Sequence, residues 1–392
     1  MNPGKTFLIA FGASVMAACA APSPAAFAAE PAPVTIKTVP GMPPVIDPNN
    51  LYSETRPEKL SPAVAKHLSR VYVPVRKSDE VAVIDPATFK VIDRYPVGVT
   101  PQHVVPSWDL KTLWVNNNAE HRTDGSVTPI DPLTGKPGKN ISVDDPYNMY
   151  FTPDGSAAIV VAEAHKRLDF RDPHTMALKY SIDVPNCGGI NHADFSIDGR
   201  YAIFTCEFTG TLAKIDLVEK KVVGYLKLSK GGMPQDVRIS PDGKFFYIAD
   251  MKAEGVFIVD GDKFSEIGHI NTGIGTHGLY PSRDGTKLYV ANRGIARVYG
   301  PPKGKGSVSV VDFATRKVEV TWPIPGGGSP DMGNISIDGK QLWLSGRFDN
   351  LVYVIETTSG KVKSIPVKTE PHGLTVWPQP GRYSLGHTGN LR

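Results

Sequence analysis

The sequence has little net charge and no extended basic region. Its 43 Lys and Arg residues nearly balance 39 Asp and Glu residues, which leaves a net charge of +4 over 392 residues. It contains no Lys/Arg-rich run with interleaved aromatic residues, the pattern typical of nucleic-acid-binding surfaces. We therefore do not expect nucleic acid as a partner.

Long apolar runs are also missing. A membrane-spanning helix needs roughly 18 consecutive apolar residues, and the apolar run at residues 7–18 is shorter than that. No transmembrane segment is expected. Apolar stripes with the period of a helix are scarce too, whereas 38 Gly and 35 Pro punctuate short runs rich in Val, Ile, Tyr and Phe, which indicates an all-β protein.

The first 28 residues have the pattern of a secretory signal peptide. Lys5 precedes the apolar run, and the small-residue site Ala26-Phe27-Ala28 lies just before Ala29. This pattern predicts a periplasmic or secreted protein. Cys19 offers an alternative, a lipoprotein cleavage site at which this cysteine is lipidated.

Cysteine is rare, with only three residues in the chain. After cleavage at Ala28, Cys187 and Cys206 remain, and in an oxidising compartment a disulfide between them is the expected state. Metal ligation by the two cysteines, with His192 or Glu207, is the alternative. No C-x-x-C pair occurs, which argues against a zinc ribbon.

A repeat dominates the rest of the chain. Residues 29–68 are Pro-rich and predict an extended arm, and from there on a turn aspartate recurs roughly every 44 residues, a period that indicates a β-propeller. These aspartates are Asp109, Asp154, Asp198, Asp242, Asp284 and Asp338. Strand counting predicts that residues 69–392 form seven four-stranded blades, with strands from both ends of the chain sharing one blade so that the ring closes without an exposed edge.

The repeat resembles a known family. Tyr289-Val290-Ala291-Asn292, together with Ser240-Pro241-Asp242-Gly243, is similar to the repeats of the YVTN family of β-propeller proteins. The resemblance covers about residues 71–390 and implies the propeller fold without implying an activity.

Propeller topology brings one set of polar residues to the same mouth of the central channel. The starts of the innermost strands and the loops after the second strands share that face. The channel-mouth residues predicted in this way are His103, Asn148, His192, Asp236, His277, Asp331, His372, Arg293 and Arg347.

Histidines are the strongest functional signal at this mouth. Neutral imidazoles suit copper, zinc or iron, so His103, His192, His277 and His372 are candidate metal ligands. The alternative is a wet channel whose polar side chains bond one another and ordered water. Asp236 and Asp331 are candidate catalytic acids or bases, as in propeller lactonases and lyases, although hydrogen bonding within the channel is the more common role.

One hairpin loop is longer than the others. Residues 295–306 carry Arg297, Tyr299, Lys303 and Lys305. Such an insertion is either a tolerated surface loop or a binding loop.

A second resemblance is local. Asp183-Val184-Pro185-Asn186-Cys187, followed by Phe204-Thr205-Cys206, is similar to a segment of about thirty residues in the heavy subunit of methylamine dehydrogenase, an exported seven-bladed propeller. The resemblance implies a Cys187–Cys206 disulfide. It also implies a scaffold that carries no cofactor itself and docks a smaller redox subunit.

The sequence thus predicts an exported propeller that binds a metal ion or metal cofactor in periplasmic redox metabolism. The alternatives are a scaffold for a periplasmic redox partner or small subunit, and a lactonase- or lyase-type enzyme.

Overall fold

The repeated Ser-x-Asp-Gly sequence folds as a tight turn between the first two strands of a blade. In the copy at residues 196–199, Ser196 Oγ donates to Asp198 Oδ1 at 2.6 Å and the Gly199 amide donates to the Ser196 carbonyl at 2.9 Å. Gly199 has a φ of +77°, which glycine adopts without steric cost. The turn therefore sets the hairpin that each repeat builds.

The computed structural model describes residues 1, 3–13 and 35–392. The chain divides into two units, Met1–Val34 and Thr35–Arg392. The predicted signal-peptide cleavage site at Ala26-Phe27-Ala28 and the alternative lipidation site at Cys19 lie outside the described residues. In the described part of the chain, none of the helices has the length and apolar character needed to cross a bilayer.

Seven antiparallel sheets form the blades. Two short 3-10 helices precede the first of them, at Ser53–Thr55 and Pro62–Val64, and a third, Arg76–Ser78, lies within it. The first three blades along the chain contain β1 (Arg70–Val75), β2 (Glu80–Asp85), β3 (Lys90–Pro96); β4 (Pro101–Pro106), β5 (Leu113–Asn117), β6 (Ser126–Asp131), β7 (Lys136–Pro137), β8 (Ile141–Ser142); and β9 (Pro146–Phe151), β10 (Ala158–Ala162), β11 (Arg167–Arg171), β12 (Leu178–Asp183). In the second blade β7 and β8 both pair with β6 and share the outer position.

The remaining blades follow the same order. They contain β13 (Ile190–Phe195), β14 (Tyr201–Cys206), β15 (Thr211–Asp216), β16 (Lys221–Lys227); β17 (Pro234–Ile239), β18 (Phe245–Asp250), β19 (Gly255–Asp260), β20 (Ser265–Asn271); β21 (Thr276–Pro281), β22 (Lys287–Asn292), β23 (Ser307–Asp312), β24 (Lys317–Pro323); and β25 (Pro330–Ile335), β26 (Gln341–Gly346), β27 (Leu351–Glu356), β28 (Val362–Pro366), with β29 (Thr375–Trp377) returning to the first blade.

The ring closes as the strand count predicts. β29 pairs antiparallel with β1, with Arg70 opposite Trp377 and Tyr72 opposite Thr375, so the first blade has the order β29-β1-β2-β3. The innermost strands contact one another around the channel. The prediction of a seven-bladed propeller of four-stranded blades, closed by strands from both ends of the chain, is confirmed.

Apolar side chains fill the spaces between facing blades. Between the third and fourth blades, for example, Phe170, Phe195 and Phe204 are buried in one cluster with the two cysteines. Burial stabilises the fold by about 25 cal/mol per Å² of apolar surface. The core is therefore distributed around the ring, which leaves the channel at the centre free for polar residues.

Cys187 and Cys206 form the expected disulfide. Their Cα atoms lie 4.8 Å apart, and the bond joins the loop before β13 to the end of β14. A bond that closes a loop of this size stabilises the fold by about 3 kcal/mol through its effect on the unfolded chain. The cysteines are thus a staple within one blade, and the alternative of metal ligation by them is wrong.

The segment after β29, residues 378–392, is a plug in the channel. It does not continue as an edge strand. The Phe151 amide donates to the Leu385 carbonyl at 3.0 Å and the His387 amide to the Met149 carbonyl at 2.8 Å, so the segment lies against β9. Gly386, with a φ of +100°, passes so close that an added Cβ would lie 2.5 Å from the Cα of Tyr150. Nearly every residue of this plug segment is buried.

Residues 39–51 of the Pro-rich arm cross the face of the ring that carries the Ser-x-Asp-Gly turns. The Val39 amide donates to the Asp198 carbonyl at 2.9 Å, and the Leu51 amide to the Pro241 carbonyl at 2.8 Å. Arg382 of the plug segment donates to the Pro44 carbonyl at 3.0 Å. Arm and plug segment together cover this end of the channel, so the other end is the accessible mouth.

Candidate functional site

The innermost strands place one polar side chain each in the channel. These residues are the third of β4, β9, β13 and β17 and the second of β21 and β25, and His372 occupies the equivalent place three residues before β29. They are His103, Asn148, His192, Asp236, His277, Asp331 and His372, and all are 0–2% exposed. These seven residues therefore meet in one buried layer, and His387 of the plug segment joins them.

The imidazoles of five histidines form a contiguous cluster, defined here as the histidine cluster: His103, His192, His277, His372 and His387. The ring centre of His103 lies 5.5 Å from that of His192, 4.8 Å from that of His372 and 5.2 Å from that of His387. The rings of His192 and His387 are 4.7 Å apart, and those of His192 and His277 are 6.4 Å apart.

Ring nitrogens in this cluster lack hydrogen-bond partners. Within residues 35–392, both nitrogens of His103 and the Nε2 atoms of His192, His372 and His387 are buried and bonded to nothing. Buried polar atoms are otherwise paired in almost all native structures, so such a group calls for an ion or ordered water. Burial lowers the pKa of all five histidines. The cluster is therefore neutral at neutral pH and offers nitrogen lone pairs.

Asp236 supplies a carboxylate next to two of these rings. Ligand atoms of His192, Asp236 and His387 all lie within 4.8 Å of one another, a spacing that a single metal ion can bridge. Asp236 Oδ1 lies 3.6 Å from His387 Nε2 and accepts from Arg238 at 2.8 Å. Because Arg238 already binds this carboxylate, the imidazole nitrogens of His192 and His387 are the better metal ligands of the three residues.

Asn148 controls the proton positions of two rings. Its Nδ2 lies 3.1 Å from His192 Nδ1 and 3.0 Å from His387 Nδ1, while its Oδ1 accepts from the Met149 amide at 2.8 Å. In this orientation the side-chain amide donates to both Nδ1 atoms, so each neutral ring carries its proton on Nε2. His372 is arranged differently, because its Nδ1 lies 3.0 Å from the Gln102 carbonyl and its Nε2 is left as an acceptor.

His277 and Asp331 form a separate pair. His277 Nδ1 lies 2.8 Å from Asp331 Oδ1, and Arg293 Nε lies 4.0 Å from the same oxygen. Burial opposes ionisation of Asp331, but its contacts with His277 and with the Arg293 guanidinium outweigh it and hold the pKa of this carboxyl well below its usual value. Asp331 is therefore an anion that orients His277 towards the mouth.

A cavity of about 100 Å³ lies above the histidine cluster, and we call it the mouth cavity. Tyr147 lies between the cavity and the rings of His103 and His192. It lines the cavity, and its ring centre is 5.6 Å from that of His103 and 6.0 Å from that of His192. The polar lining of the mouth cavity is Arg76, Gln102, Asn118, Glu120, Tyr147, Glu163, Glu207, Gln235, His277, Arg293 and Arg347. The structure thus splits the predicted channel-mouth residues between two layers.

The long loop at residues 295–306 reaches over this mouth. The Tyr299 hydroxyl donates to Glu120 at 2.9 Å and accepts from Arg76 at 3.0 Å and from Arg347 at 3.2 Å. The Arg347 guanidinium stacks over the Tyr299 ring at 5.1 Å. The insertion therefore makes specific contacts with blades on other sides of the channel.

Sequence reasoning missed two parts of this arrangement. From its sequence, Tyr383-Ser384-Leu385 reads as a further strand copy with His387 on the loop after it at the mouth, whereas the structure places this segment in the channel and His387 in the cluster. Arg76 lies on the first blade beyond the innermost strand, and its contacts with Glu120, Glu370 and Tyr299 connect it to the mouth. The disulfide was predictable because only two cysteines remain after the expected cleavage, and the layer of innermost-strand residues was predictable because it occupies a repeated position.

Comparisons with solved structures show the fold. A periplasmic gluconolactonase of Pseudomonas aeruginosa, PpgL, is 18% identical with a TM-score of 0.63, covering 78% of this chain and 98% of that one. Hydrazine synthase of Kuenenia stuttgartiensis is 20% identical with a TM-score of 0.57, covering 70% and 88%. The dihydro-heme d1 dehydrogenase NirN is 14% identical with a TM-score of 0.59, covering 87% and 79%.

Among curated proteins, the antigen Lp49 of Leptospira interrogans serogroup Icterohaemorrhagiae serovar copenhageni (strain Fiocruz L1-130) is 27% identical over 193 residues. The match spans 42% of this chain and only 38% of the length of that relative. The sequence model of the YNCE-like beta-propeller family matches residues 33–380. This match spans nearly the whole propeller, and the chain belongs to the YNCE-like β-propeller family.

Proposed function

We propose that this propeller is an exported binding protein that holds one transition metal ion, copper, zinc or iron, in the histidine cluster. The observation that carries the proposal is the set of buried ring nitrogens without partners among the described residues. Neutral imidazoles are good ligands for these ions. Export is supported by the Cys187–Cys206 disulfide, which persists in oxidising compartments.

The ligand set that we propose is His103, His192 and His387, with the Asp236 carboxylate as a fourth donor. His192, Asp236 and His387 already have ligand atoms close together, and His103 is in ring contact with both histidines. His372 lies on the other side of His103, at a ring distance of 4.8 Å. His277 is assigned to Asp331 instead, because its Nδ1 faces that carboxylate.

Elemental analysis tests this proposal. Protein purified from the exported fraction, stripped and reconstituted with Cu²⁺, Zn²⁺ or Fe²⁺, is expected to hold about one equivalent of one of these ions. His192→Ala combined with His387→Ala is expected to lose it, because two donors are removed. His174→Ala is the matched control, since His174 is exposed and lies outside the cluster.

Retention below about a tenth of an equivalent after reconstitution would overturn the metal site. If metal-free protein instead co-purifies with a small subunit, the result would favour the scaffold role that the local resemblance to methylamine dehydrogenase implies. Metal retained equally by the double variant and the control would place the ion elsewhere.

Asn148 provides a more specific prediction. Binding at both Nε2 atoms requires the ring protons to move to Nδ1, and the Asn148 amide must then reverse so that its oxygen accepts from both rings. Asn148→Asp presents an oxygen in either orientation, so we expect its metal affinity to rise by about 10–100-fold, the range over which outer-shell partners act. Competition against a chromophoric chelator measures the change, with Asn148→Leu expected to bind more weakly. Equal affinity of all three proteins would contradict the assignment of His192 and His387.

A second candidate function is hydrolysis of a small lactone or ester at the mouth cavity. One observation favours it: beside the cavity, His277 pairs with the ionised Asp331 at 2.8 Å. A histidine that is oriented by a carboxylate in this way is the usual arrangement of a general base. Asp331→Asn is then expected to abolish turnover of a lactone substrate. Undiminished turnover in that variant would exclude it.

A further inference from the structure

Two arginines at the mouth cavity are buried with donors unused. Arg293 is 1% exposed and Arg347 is 5% exposed, and both line the cavity. Within the described part of the chain, the Nε atom of each has no hydrogen-bond partner. Both guanidinium groups stack over the Phe348 ring, at 5.1 Å and 5.3 Å from its centre, which holds them side by side.

The arginines of the mouth differ in how their charges are balanced. Arg76 pairs with both Glu120 and Glu370. Arg347 Nε lies 3.7 Å from Glu370, which Arg76 already engages. Arg293 donates to the Val298 carbonyl at 3.2 Å, and the carboxylate nearest to it among ion pairs of the described residues is Asp331 at 4.0 Å.

Arg293 is thus the least compensated cation of the cavity. Its Asp331 neighbour already contacts His277 at 2.8 Å. Burial accordingly lowers the pKa of the Arg293 guanidinium. A buried guanidinium that lacks a close carboxylate is stabilised by an anionic ligand, and its planar fork matches a carboxylate bidentately.

The mouth cavity also limits the charge of that ligand. Glu163 and Glu207 line it, and burial raises the pKa of both, so that they tend towards the neutral acid. Asn191 donates to Glu207 at 3.0 Å. An ionised glutamate repels a dianion such as sulfate or phosphate more strongly than a monoanion, and in its protonated form either acid can donate a hydrogen bond to the ligand.

Access to the cavity is shaped by two aromatic residues. Tyr299 of the long loop lies over the mouth through its contacts with Arg76, Glu120 and Arg347. On another side the cavity shares Asn118, Glu163 and Phe208 with an open surface groove. These shared residues make the groove the route by which we expect a small ligand to enter the cavity.

We propose that the mouth cavity binds a small organic monocarboxylate, with the guanidinium groups of Arg293 and Arg347 as its anchor. His277 lines the site, but the proposed metal ligands His103, His192 and His387 do not, and Tyr147 lies between the cavity and the first two of them. Anion binding here therefore does not depend on a bound metal. The cavity volume restricts the ligand to a short acid.

Calorimetric titration of the metal-free protein with acetate, lactate and glyoxylate, and in parallel with phosphate and sulfate, tests the proposal. At least one monocarboxylate is expected to bind, and Arg293→Met or Arg347→Met to weaken it at least about tenfold, because a charge-assisted hydrogen-bonded pair is lost. Arg200→Met is the matched control, since Arg200 is half-exposed on the turn face and pairs with Asp216. Glu207→Gln, an isosteric change in the same cavity, is expected to retain binding.

Several outcomes would overturn the proposal. These are binding of phosphate or sulfate in preference to every monocarboxylate, binding that survives both arginine substitutions, and no heat with any of the five anions. If Arg293→Met fails to fold, Arg347→Lys gives the same information, because it keeps the charge and removes the planar fork. All of these titrations use metal-free protein. A negative result would therefore overturn the anion site and leave the metal proposal untouched.

Discussion

Replacing Arg392 by methionine is expected to lower the free energy of unfolding by about 3–5 kcal/mol. Arg392 Nη2 donates to Asp194 Oδ1 at 2.7 Å, and the two residues are 5% and 0% exposed. Without the guanidinium, the Asp194 carboxylate stays buried with only Asn390 and backbone amides as partners. Urea denaturation followed by circular dichroism measures the change.

Two further variants separate the lost ion pair from general loosening of the plug segment. Arg382→Met removes a guanidinium from the same segment whose hydrogen bond goes to the Pro44 carbonyl, and it is expected to cost only about 1 kcal/mol. Asp194→Asn in the Arg392→Met background is expected to restore part of the loss, because the uncompensated charge is gone. A loss below about 1 kcal/mol for Arg392→Met would contradict the assignment of this segment as a structural plug.

Acidification from pH 6.5 towards pH 5 is expected to destabilise the metal-free protein. In the folded chain burial lowers the pKa of all five histidines of the cluster, whereas in the unfolded chain each takes up a proton near its ordinary value of 6.5. The stabilisation is therefore complete above pH 6.5 and is lost as the pH falls towards the folded pKa values. Each histidine contributes about 1.4 kcal/mol per pH unit.

Buried acids oppose this loss. Burial raises the pKa of Asp145 to about 6 and also raises that of Glu163, Glu207 and Asp250, so the folded state holds protons that the unfolded state releases. Their contribution to stability grows as the pH falls towards their unfolded values. The fully buried histidines outnumber these acids, so a net loss of stability is expected as the pH falls.

A double variant isolates the histidine contribution. Glu163→Gln with Glu207→Gln removes two of the opposing acids, so its loss of stability between pH 6 and pH 5 is expected to be steeper than that of the unsubstituted protein, by at most about 3 kcal/mol per pH unit. Denaturation curves at half-unit intervals measure both slopes. A double variant whose stability is flat over this range would contradict the neutral, buried state of the cluster.

Most of the fold follows from local rules in the sequence. The Ser-x-Asp-Gly turn recurs at a regular period because each copy builds the same hairpin, as residues 196–199 show. Ring closure follows from counting, since one innermost strand has to come from residues after 370. The signal peptide remains a prediction, because its cleavage site lies outside the described residues.

The site was predictable only where it repeats. His103, His192 and Asp236 occupy the third position of equivalent strands, so a single alignment of the repeats brings them together. His387 belongs to a segment that reads as a further strand copy but lies in the channel, and its place depends on the close passage of Gly386 against Tyr150. The division of the mouth into a histidine layer and a cavity lined by arginines could not be predicted either. It depends on where the side chains of Tyr147 and Tyr299 lie, and tertiary packing sets those positions.

Anomalous scattering from a crystal of the metal-reconstituted protein, recorded at the absorption edge of the bound metal, locates the ion directly. We expect one peak among the histidine-cluster rings, within about 2.0–2.3 Å of the Nε2 atoms of His192 and His387. A fully loaded crystal with its peak outside the channel, or with none among these histidines, would contradict the metal site.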